Sequence, residues 1–337
     1  MRVGQRAGET NPGRKRRRNE DDFVCDPPLF AVADGMGGAQ AGEVASSLAA
    51  DALRVNRDVV MDPEATAGEE RVAGLIQEAN RRVHQRAIDD ASASGMGTTM
   101  TVALFQPDGA VAIGHVGDSR AYLLRDGKLE QLTDDHSLVA ELVRRGELSP
   151  QEAEVHPQRS VITRALGTDP DVDVDTFTVR AQVGDVFLLC SDGLTTMVDV
   201  ETISRIVDQN RRDLHAAARA LIREANQRGG DDNITAVMFE VAEGDPDDAT
   251  AETVALPPDD EDTLHPEAGT GHDEGDTSIV SVEEIRSALA AEQAGHGNEA
   301  IDQTEPRASF LQHVLAALVI VALVALVVFL VARGLAR

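Results

Sequence analysis

LFAVADGMGGAQAGEVAS, residues 29–46, is the stretch whose reading decides the fold of this chain. Leu29 to Ala33 is an apolar run of strand character; it meets Asp34, turns on Gly35, Gly37 and Gly38, and enters an alanine-rich helix. A sheet behind Asp34 would fix its carboxylate, while the glycines let the backbone turn tightly and expose carbonyl oxygens beside it. Hard divalent cations take such oxygen ligands. Alone, an Asp-Gly turn between strand and helix is more often a solvated loop. Three further aspartate-bearing turns at the edges of strand-like runs shift that balance: Gly117-Asp118-Ser119, Ser191-Asp192-Gly193 and Asp231-Asp232-Asn233.

Outward from this stretch, the pattern alternates between helices and short strands. Val44, Leu48 and Ala52 recur at helical spacing, as do Val72, Leu75, Ile76, Ala79 and Val83. Gly97 to Phe105, rich in threonine and β-branched residues, predicts a strand, and Pro107-Asp108-Gly109 turns it back into Val111 to Val116. Ala121 to Leu124 and Lys128 to Leu132 flank a second Asp-Gly turn, so successive strands pair antiparallel. Between residues 135 and 157 a helical excursion follows, around Leu138 and Leu142 with Gly146 as its stop; Ser149-Pro150-Gln151-Glu152 then caps a second short helix. This excursion reads as a lid over the site or as decoration. Strands return at Val172 to Val179, Val186 to Cys190 and Ile234 to Val241, with a long amphipathic helix over Leu214 to Ala225 before the last. Before all of these, a short strand is expected near Val3.

Charge divides the chain. The formal net charge is −28, which argues against nonspecific nucleic-acid binding. Nineteen Asp or Glu against one Arg lie between Glu243 and Glu305, so about two thirds of the imbalance belongs to an acidic linker, 243–309, too poor in apolar residues to fold. Within it, Ser281-Val282-Glu283-Glu284 is a capping box for a nascent helix. The two cysteines, Cys25 and Cys190, are far apart and lack metal-ligand spacing, which suits a reducing compartment. Val314 to Ala332 is nineteen apolar residues without a break, about 28 Å as a helix, so 310–333 is expected to span a membrane, followed by a short tail at 334–337. Arg333 and Arg337 beyond the span mildly oppose a cytoplasmic N-terminal domain, but the absence of an export signal and the free cysteines favour one.

The basic run Arg14 to Arg18 has three readings: a nuclear-import or nucleic-acid patch, a solvated basic turn, or, given its place just before Asn19-Glu20-Asp21, a grip for an anion beside bound metal. Four carboxylates at one sheet edge would repel and raise each other's pKa values, and bound Mg²⁺ or Mn²⁺ would turn that repulsion into affinity.

Seven motifs carry a resemblance. RRRNED at 16–21, ADGMGG at 33–38, GMGTT at 95–99, VGDSRAYL at 116–123, HPQRSVITRALG at 156–167, LLCSDGL at 188–194 and GGDDNIT at 229–235 stand in the order found in the PPM (PP2C-type) metal-dependent Ser/Thr protein phosphatases. Residues 3–242 resemble that family, most closely its bacterial branch, which includes members acting opposite eukaryotic-like Ser/Thr kinases. The resemblance implies an α+β fold, a four-layer αββα sandwich of two antiparallel sheets flanked by helices, filling a phosphatase domain over 1–242. It implies two Mn²⁺ or Mg²⁺ ions with a third, weaker site: Asp34 bridging, the Gly35 carbonyl on the second ion, Asp192 and Asp232 on the first, and Asp118 with Asp192 on the third. It further implies that Glu20 acts mainly through metal-bound water and that Arg16 is the phosphate-binding arginine. The implied reaction is attack on phosphorus by a metal-bridging hydroxide, with phosphoproteins as partners at the membrane and no Cys or Ser nucleophile. Eukaryotic members carry a His where this chain has Met36, a departure that bacterial relatives share. A catalytically idle signalling module of the same fold is the alternative.

Overall fold

In the computed structural model, residues 1–37, 41–56 and 67–244 are described, together with the backbone of residues 278–279. The strands are β1 (Arg2–Asn11), β2 (Asp21–Asp26), β3 (Leu29–Met36), β4 (Gly97–Thr98), β5 (Met100–Phe105), β6 (Ala110–Val116), β7 (Arg120–Arg125), β8 (Lys128–Gln131), β9 (Val161–Ile162), β10 (Asp175–Arg180), β11 (Val186–Cys190), β12 (Ile234–Ala242) and β13 (Ser278–Ile279). Helices α1 (Ala41–Val55), α2 (Gly68–Asp89), α3 (Leu138–Arg144), α4 (Pro150–Glu154), α5 (Asp192–Thr195), α6 (Val200–Gln209) and α7 (Leu214–Gln227) lie between them.

One sheet runs β1-β12-β11-β7-β8 and the other β10-β6-β5-β3-β2, with β4 added beside β3; the pairings within both are antiparallel. Alternation along each strand decides which layer a side chain enters. In β3, Phe30 and Val32 enter the layer between the sheets, while Leu29, Ala31 and Ala33 meet α1 and α2 on the other face. In β12, Val237, Phe239 and Val241 face the same middle layer, and Ile234, Ala236 and Met238 meet the helices after β11. Phe239 clamps the middle layer: its ring stacks on Phe30 at 4.2 Å and on Phe187 at 4.9 Å. Such pairs add about 0.5–1.5 kcal/mol each beyond area burial. The four-layer αββα sandwich expected above is the observed architecture.

Local signals account for several helix ends. Ser149 and Glu152 form the reciprocal capping box that starts α4 with Pro150 at its first turn, and Gly146 follows α3 with φ +72°. Asp199 and Asp213 accept the amides of Thr202 and Ala216 to start α6 and α7. Helix α6 was not expected. The first strand is ten residues long rather than short, since its pairing with β12 runs from Arg2↔Ala242 to Asn11↔Ile234. Thr99 breaks the run 97–105 into β4 and β5.

The chain divides into two units, 1–282 and 283–337. Ser278 and Ile279, inside the stretch expected not to fold, pair parallel with Val161 and Ile162. The rest of the acidic stretch from residue 245, its capping box at Ser281 and the apolar run 314–332 lie outside the described residues. No helix among the described residues is long and apolar enough to cross a membrane.

Candidate metal centre

Register brings the aspartates to one pole. Asp21 opens β2 and pairs directly with Asp34 near the end of β3. Strand β6, ending at Val116 opposite Met100, delivers Asp118; β11, ending at Cys190 opposite Ala236, delivers Asp192, and Asp232 stands just before β12. The continuation of β1 past Asn11 carries the basic run to the same pole, where the Arg14 amide donates to the Gly230 carbonyl at 2.7 Å.

Glycines let these turns close on one another. A Cβ on Gly35 would lie 2.1 Å from the Gly42 carbonyl oxygen and 2.6 Å from that of Glu20, so the backbones of β3, α1 and the 16–21 turn meet where no side chain fits. A Cβ on Gly193 would lie 2.1 Å from the Asn233 carbonyl oxygen, which presses the Asp192 turn against the Asp232 turn.

Residues to which the sequence assigned no role hold the aspartates. Ser191 Oγ and Thr235 Oγ1 donate to Asp21 Oδ2 at 2.8 and 2.6 Å. The Asp34 amide donates to Thr99 Oγ1 at 3.0 Å, while the Thr99 amide and Thr98 hydroxyl donate to the Asp34 carbonyl at 2.9 and 2.8 Å. Thr99 Oγ1 also lies 2.7 Å from Ser119 Oγ, tying the Asp34 turn to the Asp118 turn. Asn233 is a hub: its Oδ1 accepts from the Glu20 amide at 2.7 Å, and its Nδ2 donates to the carbonyls of Pro12 and Arg18 at 3.0 and 2.8 Å. The signal was in the motifs, as a buried polar side chain within an apolar strand end needs such partners.

Electrostatics show that the carboxylates converge. Desolvation, then Asp21, Asp192, Asp232 and Asp118, push the Asp34 pKa well above the ordinary carboxylate value. Burial and then Asp192 raise Asp118, against the pull of Arg120. Asp192 rises to about 6 through burial and Asp232, and Asp21 to about 7 through burial, offset by its two hydroxyl partners. Among the described residues no group of three His, Cys, Asp or Glu side chains is drawn close enough to enclose an ion by itself. The donor set nevertheless suits Mg²⁺ or Mn²⁺, which keep several waters and take one or two carboxylates each. One oxygen of Asp21, Oδ1, is buried without a hydrogen bond.

Arg16 and Glu20 both stand at this pole. Arg16 Nη2 donates to Asp232 Oδ2 at 3.0 Å, while the neighbouring Lys15 pairs with the exposed Asp231 at 2.9 Å. Glu20 receives the Gly35 amide on its carbonyl at 3.0 Å, and its carboxylate lies against Gly42 at the start of α1. Met36 is buried with Ile162 and Ala165, so the segment following α4 folds back onto the Asp34 turn. Gly38 lies outside the described residues. Cys190 is fully buried, and burial pushes its thiol up to about 12, so it supplies no thiolate.

The chain is similar to known proteins along most of its described length. The family described as Protein phosphatase 2C matches residues 14–236. The serine/threonine phosphatase stp of Listeria monocytogenes is 42% identical over 240 residues, covering 68% of this chain and 93% of its own length. Serine/threonine protein phosphatase PstP of Mycobacterium tuberculosis is 40% identical over 242 residues, 71% of this chain and 45% of that protein. The crystal structure of the M. tuberculosis phosphatase PstP/Ppp superposes with a TM-score of 0.66 at 38% identity, covering 72% of this chain and 100% of that one. The catalytic domain of PstP in complex with two manganese ions gives 0.63 at 36% identity, covering 72% and 99%.

Proposed function

The chain belongs to the Protein phosphatase 2C family, and on that footing we propose that it is a metal-dependent phosphatase of phosphoserine and phosphothreonine in proteins. The observation that carries this is the gathering of Asp21, Asp34, Asp118, Asp192 and Asp232, from turns far apart in the chain, at one pole with Arg16 beside them.

Asp34, between the other carboxylates, would be shared by two cations; Asp192 and Asp232 would hold one and the Gly35 carbonyl the other. Asp118 with Asp192 would hold a third, weaker ion. Glu20 would act through water. When bound, such ions supply the Lewis acidity that activates water for hydrolysis. Arg16 orients the substrate: its planar fork donates paired N–H groups to phosphate oxygens, which Lys15 could not match. With Cys190 buried and neutral, no side chain of the chain need become phosphorylated.

A phosphothreonine peptide tests the reaction. Phosphate release should require Mn²⁺ or Mg²⁺ and vanish with EDTA or Asp192→Asn; cation binding without release from any phosphopeptide would instead mark an idle binding module. We further propose that residues 310–333 anchor the enzyme in a membrane with its catalytic unit in the cytoplasm, where it opposes a Ser/Thr kinase; the unbroken apolar run 314–332 supports this. The full chain should sediment with membranes and residues 1–309 should not; equal partitioning would remove the anchor.

A further inference from the structure

Asp118 sits on a turn that does not hold itself. Gly117, which precedes it, has φ +110°, and a Cβ there would lie 2.6 Å from the Thr99 side chain. Both backbone polar groups of Gly117 are taken by a single residue. Its amide donates to His136 Nδ1 at 3.0 Å, and its carbonyl accepts from the His136 amide at 2.8 Å. His136 is 4% exposed and lies 18 residues beyond Asp118. No sequence motif singled it out.

The imidazole is braced on its far side. Because Nδ1 accepts from an amide, the ring proton is on Nε2, where it donates to Asp175 Oδ2 at 3.1 Å. Asp175 opens β10 and is held in turn by Arg164, whose Nη1 donates to Asp175 Oδ1 at 2.6 Å and to the Asp173 carbonyl at 3.2 Å and itself lies 3.1 Å from His136 Nε2. The His136 carbonyl accepts from the Thr163 amide at 2.9 Å, and its ring lies 4.7 Å from that of His115, itself held by the Asp134 carbonyl and Thr101. Every polar atom of His136 is thus committed, in an order that leads from Arg164 and Asp175 to the Asp118 turn.

We propose that His136 is a positioning residue for Asp118: through its two bonds to Gly117 it sets where the Asp118 carboxylate stands, and Asp175 fixes the imidazole that does so. This rests on the reading of Asp118 as a ligand of the weaker cation site. An outer partner of a metal ligand typically carries about 10–100-fold in metal affinity. Removing His136 should therefore weaken the weak site and spare the tight ones.

Titration of the full-length chain with Mn²⁺ by calorimetry tests this. His136→Ala should weaken the low-affinity phase by about tenfold or more with the high-affinity phase unchanged. His136→Asn, whose Oδ1 can accept from the Gly117 amide, should recover much of that loss. In Asp118→Asn, adding His136→Ala should change nothing further, because a residue acting through Asp118 has no effect once Asp118 is disabled. Without any added metal, the Gly117 amide should exchange its hydrogen faster in His136→Ala than in the parent. Asp175→Asn, which keeps the imidazole but weakens its brace, should move the low-affinity phase the same way. An unaltered low-affinity phase in both His136→Ala and Asp175→Asn, or an equal further loss in the Asp118→Asn background, overturns the proposal. A parent protein with high-affinity binding but no weak phase overturns it too while leaving the phosphatase reading intact; no Mn²⁺ binding at all overturns both.

Discussion

Asp21 and Asp34 stand directly opposite each other across β2 and β3, a like-charge pair in register. Directly opposed like charges destabilise a sheet. Burial raises the Asp21 pKa from 3.8 to about 7, and burial followed by the Asp21 charge lifts Asp34 well above its ordinary value. Without metal, these two carboxyls therefore hold more protons in the folded protein than in the unfolded chain, for Asp21 between 3.8 and about 7. For acids raised in this way the penalty is absent below the unfolded value and grows as pH rises through the folded one. In EDTA, the melting temperature should fall as pH rises across that window from these groups' contribution. Saturating Mn²⁺ should flatten the slope and raise the melting temperature most at the alkaline end; parallel profiles with and without Mn²⁺ would contradict this.

Asp34→Asn separates stability from activity. The amide keeps the shape and removes the charge repelled by Asp21, Asp192, Asp232 and Asp118. In EDTA the variant should melt at or above the parent's temperature, while metal-dependent phosphate release from a phosphopeptide falls by at least about a hundredfold, the upper range for outer-shell partners. A variant that melts far lower would show the carboxylate to be a structural group instead.

Gly35→Ala should fail for backbone reasons. Its methyl would meet the Gly42 and Glu20 carbonyl oxygens, neither the end of a flexible side chain. Overpacking of this kind costs about 1–3 kcal/mol or more, readable as a lower denaturant midpoint at unchanged slope. Gly127→Ala meets nothing within 4 Å but has φ +75°, so it isolates the cost of backbone strain from that of the clash. Equal midpoints for the two would mean the β3–α1 approach is looser than described.

Arg16→Lys keeps the charge and loses the fork. It should raise KM or lower kcat/KM for phosphopeptide by about tenfold or more, with Mn²⁺ affinity close to the parent's. Lys15→Ala, at a side chain that pairs with exposed Asp231, should leave both nearly unchanged. The opposite ranking would pass the phosphate role to Lys15.

Most of the fold was legible because the apolar periods are regular. Val186 to Cys190 and the helical faces of Val72 to Val83 and Leu214 to Ala225 are buried as their spacing requires. Helix α6 was missed although Asp199 precedes Val200 and Ile203 and Val207 are four apart; ten residues between two longer elements give a weak periodic signal. The aspartate turns were legible as Asp-Gly and Gly-Asp punctuation. Their convergence was not, since it depends on register such as Asp21↔Asp34 and on Gly193 meeting Asn233, relations between distant segments that no local pattern encodes. Asn233, Thr99 and His136 escaped notice for the same cause: each acts by a hydrogen bond to a backbone group elsewhere in the chain.

The pairing of β1 with β12 puts Arg2 beside Ala242 at one end and Asn11 beside Ile234 at the other. The sandwich thus begins and closes on neighbouring positions, roughly 30 Å along the strands from the carboxylates, at about 3.3 Å per residue. A short peptide could join those two positions, and new ends could be opened at the Asp126-Gly127 hairpin, giving a circularly permuted phosphatase whose chain order is rewritten while its ion-holding pole is untouched.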